Sequence, residues 1–112
     1  MGINIDQIIE INKKHGGCLL NKSNLEFDIE RANEEKNIWR SNAYLVRGIV
    51  SGHCFLDGCK STAMEVITDR FAEHKIGCDK SKLVRGILKI ARGEIQDINK
   101  IEKGLRKWCY KL

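Results

Sequence analysis

At 112 residues, 42% apolar and 31% charged, the chain is long enough to bury one core without disulfide or metal staples, and a single domain over residues 1–112 is expected. No apolar run approaches the roughly 20 residues that span a bilayer, and the opening MGINIDQIIEINKK lacks a basic start followed by an apolar stretch. A soluble, cytoplasmic protein with no membrane contact is therefore expected. The net charge of +5 favours acidic partners without naming one, and the five cysteines (Cys18, Cys54, Cys59, Cys78, Cys109) are expected as thiols.

Proline is absent and strand-like alternation is nearly so, whereas helical spacing recurs. Ile5, Ile8 and Ile9 form a first stripe that stops at Gly16-Gly17. Ser23 and Glu26 make a capping box ahead of Leu25, Ile29 and Ala32. Ser41 is the candidate cap of a third helix carrying Tyr44, Leu45, Ile49 and Val50, with Trp39 and Arg40 before it as packing and cap residues. A fourth helix is predicted from Ser61 or Thr62, through Ala63, Val66, Ile67 and Phe71, to Gly77. Asp79 caps a fifth, whose apolar residues (Leu83, Val84, Ile87, Leu88, Ile90, Ala91) surround much of its girth and predict the most buried helix. After Gly93, Asp97 caps a sixth with Ile98, Ile101, Leu105 and Trp108 on one side and Lys100, Lys103, Arg106, Lys107 and Lys111 on much of the rest. That basic run reads as a solvated face, so nucleic acid is not the expected partner. Six helices with short loops predict an all-α fold, a compact bundle.

Between the third and fourth helices, His53 to Thr62 reads HCFLDGCKST. Four chemical readings fit it. As a plain turn, Gly58 supplies a permissive backbone, Ser61 or Thr62 a cap, and Phe55 and Leu56 core plugs. As a zinc site, His53, Cys54 and Cys59 could join His74 and Cys78, although the paired C-x₂₋₄-C spacing is missing. As a thiol nucleophile, Cys59 has His53 and Lys60 nearby. As a phosphate loop, amides around Gly58 at a helix N-terminus attract an anion and Lys60 adds charge. Asp57 could then hold magnesium, and His53 could take a proton from an attacking hydroxyl.

The stretch His53 to Ala63, HCFLDGCKSTA, resembles the signature of the Doc (death-on-curing) branch of the Fic/Doc superfamily, roughly H-x-F-x-[DN]-[AG]-N-K-R-T-A. The resemblance extends to an early helix running into HGG, to YLVRGIVSGH before the loop, and to ARGEI before a last amphipathic helix. It implies a six-helix Fic/Doc-like fold with the motif loop between two central helices. It also implies an enzyme, a kinase-like toxin of a toxin–antitoxin pair. Such an enzyme transfers a phosphoryl group from ATP, with Mg²⁺, to a hydroxyl of a target protein (elongation factor Tu in the family), and a small antitoxin silences it. Fic relatives transfer AMP instead. By position, His53 would be the general base, Asp57 the magnesium ligand and Phe55 the loop anchor. Gly58, Cys59, Lys60, Ser61 and Thr62 would surround the phosphates, with Lys60 neutralising charge in the transfer.

Two positions depart from the pattern. Cys59 stands where the family has asparagine, and Ser61 where it has arginine. A thiol donates weakly, and serine offers one hydroxyl in place of a charged fork. Arg47 and Arg70 are candidates to restore the missing charge. An attenuated phosphotransferase and a catalytically inactive, nucleotide- or partner-binding protein on the same fold are both consistent with these changes.

Overall fold

A computed structural model describes residues 2–112 and contains six helices with one two-stranded ladder. The helices are α1 (Ile5–Lys14), α2 (Lys22–Glu34), α3 (Ile38–Ser51), α4 (Cys59–Glu73), α5 (Lys80–Ala91) and α6 (Ile98–Trp108). Strands β1 (Ile76–Cys78) and β2 (Cys109–Lys111) run antiparallel, with Ile76 opposite Lys111, Gly77 opposite Tyr110 and Cys78 opposite Cys109. The all-α fold expected from helical spacing is thus observed, and no described helix is long and apolar enough to cross a membrane.

The most buried helix is α3, not α5. Trp39, Ser41, Asn42, Ala43, Leu45, Val46, Gly48 and Ile49 are all buried on α3, against Leu83, Gly86, Ile87 and Ile90 on α5. The breadth of α5's apolar face misled because Val84 remains exposed, while α3 owes its position to small residues. Gly48 is so close to Asp28 of α2 that a Cβ there would stand 2.6 Å from the Asp28 Cβ. Helices α2, α4, α5 and α6 all pack on α3, which therefore forms the axis of the core. Against α4, Trp39 meets Phe71 with ring centroids 5.0 Å apart, and the Arg106 guanidinium covers the indole.

Five of the helices begin with a side-chain cap. Asn4, Asn21, Asn37, Asp79 and Asp97 each accept hydrogen bonds from first-turn amides, which otherwise have no partner in the helix. Asp79 and Asp97 match expectation. Asn21 and Asn37 displace the expected caps: Ser23 lies inside α2, and Ser41 is buried within α3, donating its hydroxyl to Ala32 O at 2.7 Å. Trp39 and Arg40 consequently sit in the first turn of α3. Helix α4 starts ahead of Ser61 and Thr62, at Cys59, and its N-cap Gly58 brings no side-chain acceptor.

Helix α6 places its stripe as expected, with Ile98, Ile101 and Leu105 buried. The half-buried Trp108 ring lies over two glycines. A Cβ built on Gly86 would stand 2.3 Å from it, and one on Gly104 2.5 Å. The α5–α6 contact therefore needs glycine at both positions. We expect Gly86→Ala to lower stability by about 1–3 kcal/mol through overpacking, read as a lower urea midpoint with an unchanged slope. An unchanged midpoint would show that the indole moves aside at no cost.

Candidate functional site

The segment from Gly52 to Gly58 links α3 to α4 and is tied along its length to the α1–α2 connection. Leu20 N and Asn21 N both donate to Cys54 O, at 2.6 and 3.1 Å, and Leu56 N donates to Cys18 O at 3.0 Å. Leu19 and Phe55 pair as an isolated antiparallel bridge. Extended backbone turns successive side chains to opposite faces, so Phe55 enters the core at 4% exposure while Leu56 stays 70% exposed. Phe55, expected as the loop anchor, is the one of the two that is buried. Leu56, expected as a second core plug, faces solvent because the alternation permits only one of the two to enter.

The end of the loop is held from α1. Asn12, buried in the last turns of α1, donates through Nδ2 to Asp57 O at 2.8 Å and to Thr62 Oγ1 at 3.2 Å. Thr62 is fully buried; its hydroxyl donates to Gly58 O at 2.6 Å, and its amide bonds the same carbonyl at 2.9 Å. Thr62 thus shapes the loop from beneath. The HGG turn fits this arrangement closely: a Cβ on Gly17 would meet Asn12 Oδ1 at 2.2 Å and Asp57 O at 2.3 Å. Gly58 has φ of +74°, a left-handed conformation that favours glycine, and a Cβ there would stand 2.8 Å from His15 O.

On the outer side, the Asp57 carboxylate accepts from Gly58 N at 2.7 Å through Oδ1. The first helical bond of α4 runs from Thr62 N to Gly58 O, so the amides of Cys59, Lys60 and Ser61 precede the regular bonding pattern with no side-chain cap. Lys60 and Ser61 are exposed, and Cys59 is half-buried with its thiol directed at Phe55 O, 3.7 Å away. Burial pushes the Cys59 thiol up, against an opposing pull from Lys60. A raised thiol is a poor nucleophile, and this weighs against the covalent reading of Cys59.

His53 is exposed and held at φ of +53°, an uncommon conformation for a residue with a side chain. It lines a groove of about 510 Å³ with Arg47, Ser51, Ile90, Arg92 and Gln96. Ser61 lines a different groove, of about 490 Å³, with His15, Met64, Thr68 and Cys78. Neither groove includes Asp57, Gly58, Cys59 or Lys60 in its walls. The two candidate replacement arginines also separate. Arg70 is half-buried on the far side of α4, donating to Ser41 Oγ at 3.0 Å and Asn42 Oδ1 at 2.7 Å, and burial lowers its pKa. Arg47 stands beside His53 and bridges to Asp28 at 3.1 Å. Burial raises the Asp28 carboxyl above its ordinary value, with Arg47 opposing.

Among the described residues no three His, Cys, Asp or Glu side chains gather where they could share a metal ion. Cys54 turns its thiol to Gly48 O, His74 ends α4, and Cys78 lies in β1. Asp57, exposed and with one carboxylate oxygen left without a protein partner, fits an ion that takes one carboxylate and completes its shell with phosphate and water, as Mg²⁺ does. Asn12 and Gly17 were not singled out from sequence. Asn12 was legible, because it follows buried Ile8 by one helical turn and so puts an amide on the apolar face.

Compared with models of known protein families the chain matches none, and a search of curated proteins finds no match either.

Replacing Asn12 by alanine removes both Nδ2 bonds and leaves the Thr62 and Asp57 acceptors short of a donor. The expected loss is about 1–3 kcal/mol, with faster hydrogen exchange at the Leu56 and Thr62 amides than in the parent. Unchanged stability and unchanged exchange would mean that Asn12 does not hold the loop.

Proposed function

We propose that the chain is a magnesium- and ATP-dependent phosphotransferase acting on a hydroxyl of a target protein, of the Doc type that its motif resembles. One observation above all supports this reading: α4 begins with an uncapped, left-handed glycine and free amides, and exposed Asp57, Lys60 and His53 lie within the same short segment. Free amides and the helix dipole favour an anion, and Lys60 adds a mobile positive charge. Transfer of a phosphoryl group needs positioning and charge neutralisation more than covalent participation, which suits a site without a ready nucleophile.

In this reading the γ-phosphoryl group is held at the amides of Cys59, Lys60 and Ser61. Asp57 would hold Mg²⁺, which when bound supplies charge neutralisation on the phosphates. His53 accepts the proton of the attacking hydroxyl as its oxygen bonds to phosphorus, and ADP leaves with the electrons of the broken P–O bond. Arg47 and Arg92 line the groove beside His53 and draw anionic groups towards it. By the same resemblance the target is a translation factor, the controlling partner is a small antitoxin, and the reaction takes place in the cytoplasm.

The placement of Cys59 favours a second reading, a nucleotide- or partner-binding protein that no longer catalyses. Its thiol is half-buried and directed at a backbone carbonyl, so it offers nothing to a phosphate oxygen.

The test is transfer of label from γ-labelled ATP to elongation factor Tu in the presence of Mg²⁺. We expect the parent to label the factor and His53→Ala to reduce the rate by about 10²–10⁴-fold. Label arriving from α-labelled ATP instead would identify AMP transfer. The double change Cys59→Asn with Ser61→Arg is expected to raise the rate by about 10–100-fold, because each introduces a donor for a phosphate oxygen. Transfer by this double variant alone would favour the binding reading for the parent. Transfer by neither would overturn the kinase reading for this substrate.

A further inference from the structure

The β1–β2 ladder brings two thiols together from residues 78 and 109. Asp79 N donates to Trp108 O at 2.8 Å and Leu112 N donates to Lys75 O at 2.9 Å. Those two bonds flank the register and make Cys78 and Cys109 a non-hydrogen-bonded antiparallel pair. In such a pair the Cα atoms lie about 4.5 Å apart and the side chains are at their closest. A disulfide accepts Cα separations of roughly 4.4–6.8 Å, so the ladder already has a geometry that an S–S bond can span. Both cysteines are free thiols.

The two are not equivalent. Cys78 is half-buried and borders the groove lined by His15, Met64, Thr68, Lys80 and Val84, whereas Cys109 is buried at 3% exposure. The neighbouring Cys109 thiol lowers Cys78 below the ordinary thiol range against the effect of burial, while Cys109 itself is pushed up. The groove therefore meets the Cys78 sulfur, and Cys109 stands behind it as the thiol opposite across the ladder. Cys54 and Cys59 differ from this pair, since each directs its thiol at a backbone carbonyl, of Gly48 and Phe55.

We propose that Cys78 and Cys109 form a hydroperoxide-sensitive dithiol, in which Cys78 is oxidised first and Cys109 closes the disulfide. The Cys78 thiolate attacks the peroxide, an S–O bond forms, the O–O bond breaks, and hydroxide leaves to take up a proton as water. The Cys109 sulfur then bonds to that of Cys78, the S–O bond breaks, and the departing hydroxide carries away the Cys109 proton as a second water. The thiols give up two electrons in all, and the peroxide accepts them. The link encloses α5 and α6 in one covalent loop and fixes the last strand to the α4–α5 connection. Oxidation thus constrains the segment from Cys78 to Cys109.

The experiment uses the whole chain, treated with a small excess of hydrogen peroxide and mapped by mass spectrometry without reduction. The expected product has lost two hydrogens per chain, contains a peptide joining Cys78 to Cys109, and reverts with dithiothreitol. Its melting temperature is expected to rise by about 10 °C, from the loop closed in the unfolded chain. In Cys109→Ser, Cys78 is expected to accumulate as a sulfenic acid that dimedone traps. The parent's peptide map is decisive on its own if that variant folds poorly. Oxidation that falls first on exposed Cys18, or links Cys54 to Cys59, would overturn the proposal. A Cys78–Cys109 link that lowers the melting temperature would overturn it too, because the ladder would then be distorted by the bond.

Discussion

The side-chain amide of Asn12 is the point on which the candidate site depends. It is buried, as is the Thr62 hydroxyl it meets, so leaving those two apart would cost the desolvation of both groups. The amide therefore binds the end of α1 to Asp57 O and Thr62 Oγ1, residues 45 and 50 positions away. Other features follow from that contact. Gly17 has to lack a side chain, because a Cβ would collide with the amide and with the Asp57 carbonyl it holds. Gly58 is left-handed, and its carbonyl receives both the amide and the hydroxyl of Thr62. The first turn of α4 is then fixed from below, with Lys60 and Ser61 exposed on its outer side.

This arrangement divides the labour within a short sequence. Phe55, Gly58 and Thr62 are spent on structure, the first by burial and the other two by hydrogen bonding. His53, Asp57 and Lys60 are exposed and retain chemistry to offer. Cys59 belongs with the structural group, since burial raises its thiol and its contact is a backbone carbonyl. The charge that serine withholds at position 61 is not replaced by Arg70, which is committed to Ser41 and Asn42 under α3. Arg47 is better placed, on the groove of His53, although Asp28 shares its charge. A phosphate site of the kind proposed would rest on backbone amides and one lysine, with Arg47 on the groove of His53.

Much of the fold was legible because helical periodicity is a long-range pattern. All six helices were readable from their stripes, and Asp79 and Asp97 marked two starts correctly. Starts misread from sequence share a cause: Ser23, Ser41, Ser61 and Thr62 are acceptable caps, but Asn21, Asn37 and Gly58 lie upstream and take the role. The two strands have three residues each, too few for an alternation signal, and their pairing joins segments distant in sequence. The burial of α3 was hidden for another reason. Glycine, alanine and serine score as weakly apolar, yet they are what allow neighbouring helices to close around it. The loop's chemistry-bearing residues could be named from spacing, but spacing could not reveal that His53 and Ser61 face different grooves. That separation depends on a left-handed residue at His53 and on pairing to Cys18–Asn21, neither of which has a local signature.

The most direct measurement is a titration of ¹⁵N-labelled protein with Mg-ATP, following the backbone amide resonances. A phosphate held at the start of α4 should shift the Gly58 to Ser61 amides first, with His53 and Arg47 responding and Asn12 largely still. Shifts confined to other surfaces, such as the basic face of α6, or no shift at saturating nucleotide, would contradict a phosphate site at the His53–Ser61 loop.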